Sequence, residues 1–266
     1  MRPFLKKYFR LMRIAWLILV EYRGETFFYM FGSFVTPFVT LAVWLAVTGE
    51  GQIGGYGSGD FIRYFLAAMF VMRLTISWDV WELDAQIREG TFSSYLVRPF
   101  NPIHWRITEN LVYKVFYLAL MVVAWGVAWI FFPVVRLDLT WLQVAAVVLA
   151  ISFAAAIRYM LGYCVGLLAF WTNRSVAIFS LIDGIGYFLR GMIAPLPLLP
   201  PFVQSIAEMS PFYWMLGFPA DLMTRPWAQL DVRQGFLIQG MWLALFLLLY
   251  VWMWRQGLKK YGAVGG

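Results

Sequence analysis

The chain has 266 residues, 62% of them hydrophobic and only 13% charged. A soluble domain carries charge on roughly a quarter of its positions, so this composition excludes one and points to an integral membrane protein. One cysteine (Cys164) and one histidine (His104) exclude an internal disulfide and any metal site built on several Cys or His ligands. The net charge of +7 is then first a question of which membrane face carries the Lys and Arg residues, before any thought of nucleic acid.

Residues 1–23 open the chain with Arg2, Lys6, Arg10 and Arg13 along one helical side and Phe4, Leu5, Phe9, Met12 and Trp16 between them. The apolar run after Arg13 is too short to cross a hydrocarbon core of about 30 Å. No small-residue cleavage site follows, which argues against a signal peptide. The stretch predicts an amphipathic helix lying in the interface, its cations over anionic headgroups. Thr26–Thr48 is free of charge and long enough to span. Residues 49–60, GEGQIGGYGSGD, are rich in glycine, but no Lys-Ser or Lys-Thr follows at phosphate-loop spacing. They predict a flexible connector. Phe61–Trp81 is a second span, with Arg73 in its body.

The longest polar interruption follows, residues 82–106. Val80, Leu83 and Ile87 recur on one helical face, and Gly90 is placed to end that helix in a left-handed cap. Thr91 can cap a short helix, Phe92–Val97, which must stop before Pro99. Asn101-Pro102 then starts the next helix, with a side-chain cap followed by proline at the first helical position. A membrane chain that lays a short helix across its polar side offers a surface to a soluble partner. The plainer alternative is a solvated loop, which seldom carries so many cap signals.

Ile107–Pro133 is the third span. Trp141–Trp171 is the fourth, long enough to tilt or to extend beyond the bilayer. It holds Arg158 near its middle and the pair Gly162 and Gly166, whose spacing lets another helix approach closely. The fifth span, Val176–Met192, contains Asp183 and Arg190. Residues 193–227 are too apolar for a water-exposed loop. Pro195, Pro197, Pro200 and Pro201 also forbid one continuous helix. Two short helices, Phe202–Met209 and Phe212–Met223, hinged at Ser210-Pro211, would make a hairpin that enters the membrane and returns to its own side. The last span is Phe236–Trp254.

With both ends and the central stretch on one side, that side holds Arg2, Lys6, Lys7, Arg10, Arg13, Arg23, Arg88, Arg98, Arg106, Lys114, Arg174, Arg255, Lys259 and Lys260. The other holds only Arg63, Arg136, Arg190, Arg225 and Arg233. The positive-inside rule therefore predicts cytoplasmic termini, a cytoplasmic central stretch and an external hairpin. The expected fold is an all-α integral membrane protein. It is one domain, 1–266, with six transmembrane helices, the interfacial helix 1–23, the cytoplasmic segment 82–106 and the re-entrant hairpin 193–227.

This layout resembles the ABC type-2 permeases, the membrane subunits of ATP-binding-cassette exporters. It is most similar to a bacterial subfamily of uncharacterised substrate. REGTFSSYLVRPFNPIHWR after the second span and GMIAPLPLLPPF…MSPFYW before the last carry the resemblance, which covers nearly the whole chain. The resemblance implies a bacterial inner-membrane permease that exports a hydrophobic or amphiphilic substrate. Segment 82–106 would be the coupling helix seated in a cleft of a separate ATPase, with Glu89, Gly90, Thr91, Phe92, Tyr95, Leu96 and Arg98 at the contact. The chain has no G-x-x-x-x-G-K-[ST] match, so it is not itself an ATPase and binds no cofactor. ATP and Mg would sit on the partner. The expected partners are cytoplasmic ATPase subunits, a second permease (a copy or a paralogue) and membrane lipids, with no nucleic acid.

Arg158 and Asp183 are the deepest ionisable residues. Counted from Arg174 they lie about 24 Å and 14 Å up, within reach of each other only through the arginine's length. An unpaired charge there costs about 3 kcal/mol, so an ion pair is the expected role and a substrate or proton contact the alternative. Arg73 should also find a partner inside the bundle. Phe202, Phe212, Tyr213 and Trp214 are expected to form an external hydrophobic gate. Asp221 and Arg225 should lie at the outer surface beyond it, and Glu208 should face the external vestibule or a polar partner rather than lipid. Two rival classes are weaker. A secondary transporter would need repeated broken helices at mid-membrane, and a membrane-embedded transferase would need a catalytic cluster of His, Asp or Glu.

Overall fold

The computed structural model describes residues 2–97 and 101–261, with side chains from Lys6 onward. It is helical throughout apart from one two-stranded hairpin. The helices are α1 (Arg2–Glu21), α2 (Arg23–Gly32), α3 (Val35–Thr48), α4 (Ser58–Thr75), α5 (Asp79–Arg88), α6 (Ser93–Leu96), α7 (Ile103–Phe131), α8 (Trp141–Leu167), α9 (Ser175–Leu189), α10 (Pro201–Met209), α11 (Pro211–Met215), α12 (Gly217–Thr224) and α13 (Val232–Lys260).

Among the described residues, five helical stretches are long and apolar enough to cross a membrane: Arg23–Thr48, Ser58–Arg88, Ile103–Phe131, Trp141–Phe170 and Val232–Lys260. α9, the expected fifth span, is apolar but has 15 residues. At the helical rise it is about 22 Å long, short of a typical hydrocarbon core. Two of the long stretches are broken. α2 gives way to α3 at Ser33–Phe34, and α4 ends at Thr75, where Ile76 turns extended (ψ 143°) before α5 begins. The second span expected at Phe61–Trp81 is thus a helix to Thr75 followed, after an extended break, by a separate helix from Asp79.

α8 is the hub. Its second half, from Ile157 to Leu167, is buried, and α4, α5, α9, α12 and α13 pack around it. α5 lies on the small-residue face. A Cβ at Gly166 would stand 3.2 Å from the Val80 backbone and 3.1 Å from Leu83, and one at Gly162 3.4 Å from Ser77 Oγ. The helix that approaches at this glycine pair therefore comes from the chain's own central stretch.

The glycine-rich loop is an ordered hairpin here. Gln52–Ile53 pairs antiparallel with Tyr56–Gly57, and Gly54 (φ 56°) and Gly55 (φ 84°) make the turn. Two-residue hairpin turns need positive φ at both positions, which glycine adopts without strain. A Cβ at Gly54 would fall 2.3 Å from Leu198, so the hairpin tip lies directly on the proline-rich segment.

α1 packs along α7. Tyr8 meets His104, and Ala15 and Leu19 close on Val112, so contacts advance together on the two helices.

Candidate functional site

The central turn is built by local capping. Gly90 ends α5 with φ 75°, as a left-handed cap requires. Asn101 Oδ1 accepts the Ile103 amide at 3.0 Å and starts α7. Thr91 has a different role from the expected cap of the short helix. Its hydroxyl reaches back to the Gln86 carbonyl, and Ser93 Oγ donates to the Gly90 carbonyl at 2.8 Å. α6 spans only Ser93–Leu96.

Phe92, expected at a partner contact, is fully buried. Its ring sits 5.8 Å from Phe170, 6.0 Å from Trp254 and 5.7 Å from Tyr261, a box made by the ends of α8 and α13. The Tyr261 hydroxyl donates to the Gly90 carbonyl (3.0 Å) and accepts the Ser93 amide (3.2 Å). Phe92 is therefore the inward anchor of the turn and is closed to a partner. Arg88, Glu89, Thr91, Ser94, Leu96 and Val97 are exposed, Val97 at 85%, and Tyr95 is half-buried. Arg98 lies outside the described residues.

The base of the turn is wired into the bundle by two helical-spacing pairs and by two contacts between elements that residue spacing did not indicate. Arg106, buried, pairs with Glu82 of α5 and with Glu109 at 3.0 Å. Asp84 takes Arg88 at 2.9 Å and also accepts the Ser175 hydroxyl at the start of α9. α5 is thereby tied to α7 and α9 together.

Within the bundle, Arg158 and Asp183 do pair, Nη2 to Oδ1 at 2.5 Å. A second arginine, expected on the outer side, joins them: Arg190 Nη2 reaches the same oxygen at 2.9 Å. Arg190 also donates to the carbonyls of Gly186 and Asp183, where α9 runs out of amide partners. Arg158 rests over the Phe179 ring at 5.6 Å. The Asp183 side chain stays 36% exposed. Arg73 finds no carboxylate among the described residues. It donates to the Met30 carbonyl near the end of α2 (3.0 Å) and lies over the Phe34 and Tyr117 rings at 5.1 and 5.4 Å.

The four expected gate aromatics do not form one plug. Tyr213 and Trp214 are buried, ring centroids 5.0 Å apart, and the Trp214 indole donates to the Glu208 carbonyl at 2.8 Å. Phe212 presses on Gly186 of α9, where a Cβ would clash at 2.7 Å. Phe202 is 67% exposed on α10, away from them. Leu216 (φ −147°, ψ −54°) adds a second break after the one at Ser210-Pro211, and α12 turns inward, buried from Gly217 to Met223. Asp221 goes with it. Fully buried, it accepts the Tyr213 hydroxyl at 2.7 Å and faces Arg225 at 3.5 Å, so it does not lie at an outer surface. Glu208 is exposed. No group of three or more His, Cys, Asp or Glu residues that could hold a metal occurs among the described residues.

The described residues thus form a broken, charge-poor helical bundle with a short helix held across one polar turn. From residue 31 to residue 265 the sequence matches a family described as ABC-2 family transporter protein. The chain belongs to the ABC-2 transporter family. It is a multi-pass membrane protein and a membrane component of such a transporter. ABC-2 permeases are not themselves ATPases and work with ABC ATPases. The matched region begins inside α2, so α1 precedes it. No match is found among curated proteins.

Proposed function

We propose that this ABC-2 permease forms half of an export path for a hydrophobic or amphiphilic substrate and is driven through its α5–α6 turn by a cytoplasmic ATPase. In this reading the chain crosses a bacterial inner membrane six times. Both termini and the turn are cytoplasmic, and residues 193–227 enter from the outer side. α9 provides the sixth crossing despite its length, by local thinning of the bilayer around it. A second permease, a copy or a paralogue, completes the path.

The observation that carries the proposal is the contrast within the turn. Phe92 and the Tyr261 hydroxyl bolt its inner side to α8 and α13, while Arg88, Glu89, Thr91, Ser94, Leu96 and Val97 project from its outer side. Force applied there moves α5 as a body, and the Asp84–Ser175 contact passes it to α9. α9 carries the half-exposed Asp183. A carboxylate in a span avoids lipid and faces a wet path or a neighbouring subunit, so the open face of α9 is the path-lining face.

Co-purification tests this reading. The chain should bring down an ATPase, and the double substitution Leu96→Asp, Val97→Asp should release it or uncouple its turnover, with the permease still folded. A normal complex with normal coupled transport would count against the turn as the docking element.

A further inference from the structure

We infer that the groove between α1 and α7 is a selective site for an anionic phospholipid, one acyl chain lying in the groove and the phosphate held at Arg13. The groove has a volume of about 370 Å³ and is lined by Phe9, Met12, Arg13, Trp16, Leu111, Val112 and Val115, with no polar atom facing it, so Arg13 contributes its aliphatic stem to the wall. Every lining side chain but Arg13 is apolar or aromatic, so the cavity itself selects a hydrocarbon tail.

The helix geometry of α1 supplies the head. Phe9, Met12 and Trp16 recur at three- and four-residue spacing and form one stripe, and Lys6, Arg10 and Arg13 form the stripe beside it. Arg13 belongs to both. Lys6, Arg10 and Arg13 are all exposed, and no carboxylate of the described residues forms an ion pair with any of them. Unpaired cations next to an apolar slot in a membrane protein match a molecule with an anionic head and a long apolar tail. A zwitterionic lipid fills the slot but offers no net charge to the cations. A second protein helix would need carboxylates placed opposite all three cations to avoid burying them at a high desolvation cost.

The position gives the site a consequence. Tyr8, one turn before Met12, meets Nδ1 of His104 at 2.6 Å, and Asn101, the cap of α7, lies just beyond. A lipid wedged between α1 and α7 therefore braces the helix that leaves the central turn.

The test uses the purified full chain equilibrated with mixed vesicles of phosphatidylglycerol and phosphatidylcholine, then native mass spectrometry of the retained lipids. The wild type should keep one phosphatidylglycerol in preference to phosphatidylcholine by about fivefold, the discrimination one basic side chain supplies at an anionic surface. Arg13→Gln should lose that preference, while Arg255→Gln, at the far end of the chain, should keep it. Val115→Trp, at a position already 53% exposed, should fill the groove and reduce retention of both lipids. Equal retention of the two lipids by the wild type, or an unchanged preference in Arg13→Gln, overturns the proposal. So does a Val115→Cys variant that forms disulfide-linked dimers, which would assign the groove to a second copy. None of these measurements needs an ATPase, so their failure leaves the permease reading intact.

Discussion

The turn at α5–α6 and the segment α10–α12 are both short helices cut apart by glycine or proline; the first reads from sequence as a surface for a soluble partner, the second as a hairpin that enters the membrane and returns. Their burial separates them. α6 has no buried residue and rests on one side chain, Phe92, whereas α12 is buried along seven consecutive residues from Gly217 to Met223. Composition explains the difference. The central stretch is polar and can only be pinned by an anchor, whereas an apolar segment with no outlet to water is absorbed into the core. The first can therefore change its surface freely, whereas α12 can hardly change at all, although α10 in the same segment buries only Ala207.

The sharpest way to break that contrast is Trp214→Ala. It removes a buried indole, its bond to Glu208 and its packing on Phe218, and should cost about 3–5 kcal/mol. Thermal unfolding in detergent should show the loss. An unmoved midpoint would mean that the segment is a movable flap after all. Asp183→Asn comes next, at about 1–3 kcal/mol, less than a fully buried pair because the carboxylate is partly exposed. It leaves Arg158 and Arg190 facing each other. In a double-mutant cycle, Arg158→Gln with Asp183→Asn should cost less than the sum of the single changes, and strict additivity would assign each residue a different partner.

How much of this was legible in the sequence depends on range. Gly90, Asn101-Pro102 and Ser210-Pro211 mark their breaks correctly because capping is settled within a few residues. Gly162 and Gly166 announced a close helix contact for the same reason. The direction of Phe92 was hidden. A helix of four residues has no periodicity to read, and the hydrogen bond that fixes the turn joins Ser93 to Tyr261, 168 positions away. Arg190 was assigned to the outer side because counting charges treats every terminal arginine as loop. Spacing gave no sign that its guanidinium folds back over the end of α9 onto Asp183. Asp221 looked like a surface pair with Arg225 because spacing reports the helical turn and not which way the helix faces.

Two smaller effects sharpen the comparison at the turn itself. Tyr261→Phe keeps the aromatic box and removes two hydrogen bonds, worth about 1 kcal/mol. Amide exchange should quicken at residues 90–97 with the global melting point unchanged, and unchanged exchange would show that the ring packing alone holds the turn. Leu96→Asp should have the smallest effect on stability, within about 0.5 kcal/mol, because the side chain is already exposed. A large loss of stability there would make α6 part of the core and undo the distinction between the two segments.

The contact between Gly54 and Leu198 joins two loops that are far apart in sequence. Trp44 adds to the junction, its indole donating to the Ile193 carbonyl at 2.6 Å. An antibody fragment raised against the Gln52–Gly57 hairpin would therefore grip the proline-rich segment through the same epitope. The hairpin is a ready handle for clamping that end of the transporter, with Gly55 turned to open space and Gly54 the residue that transmits the grip.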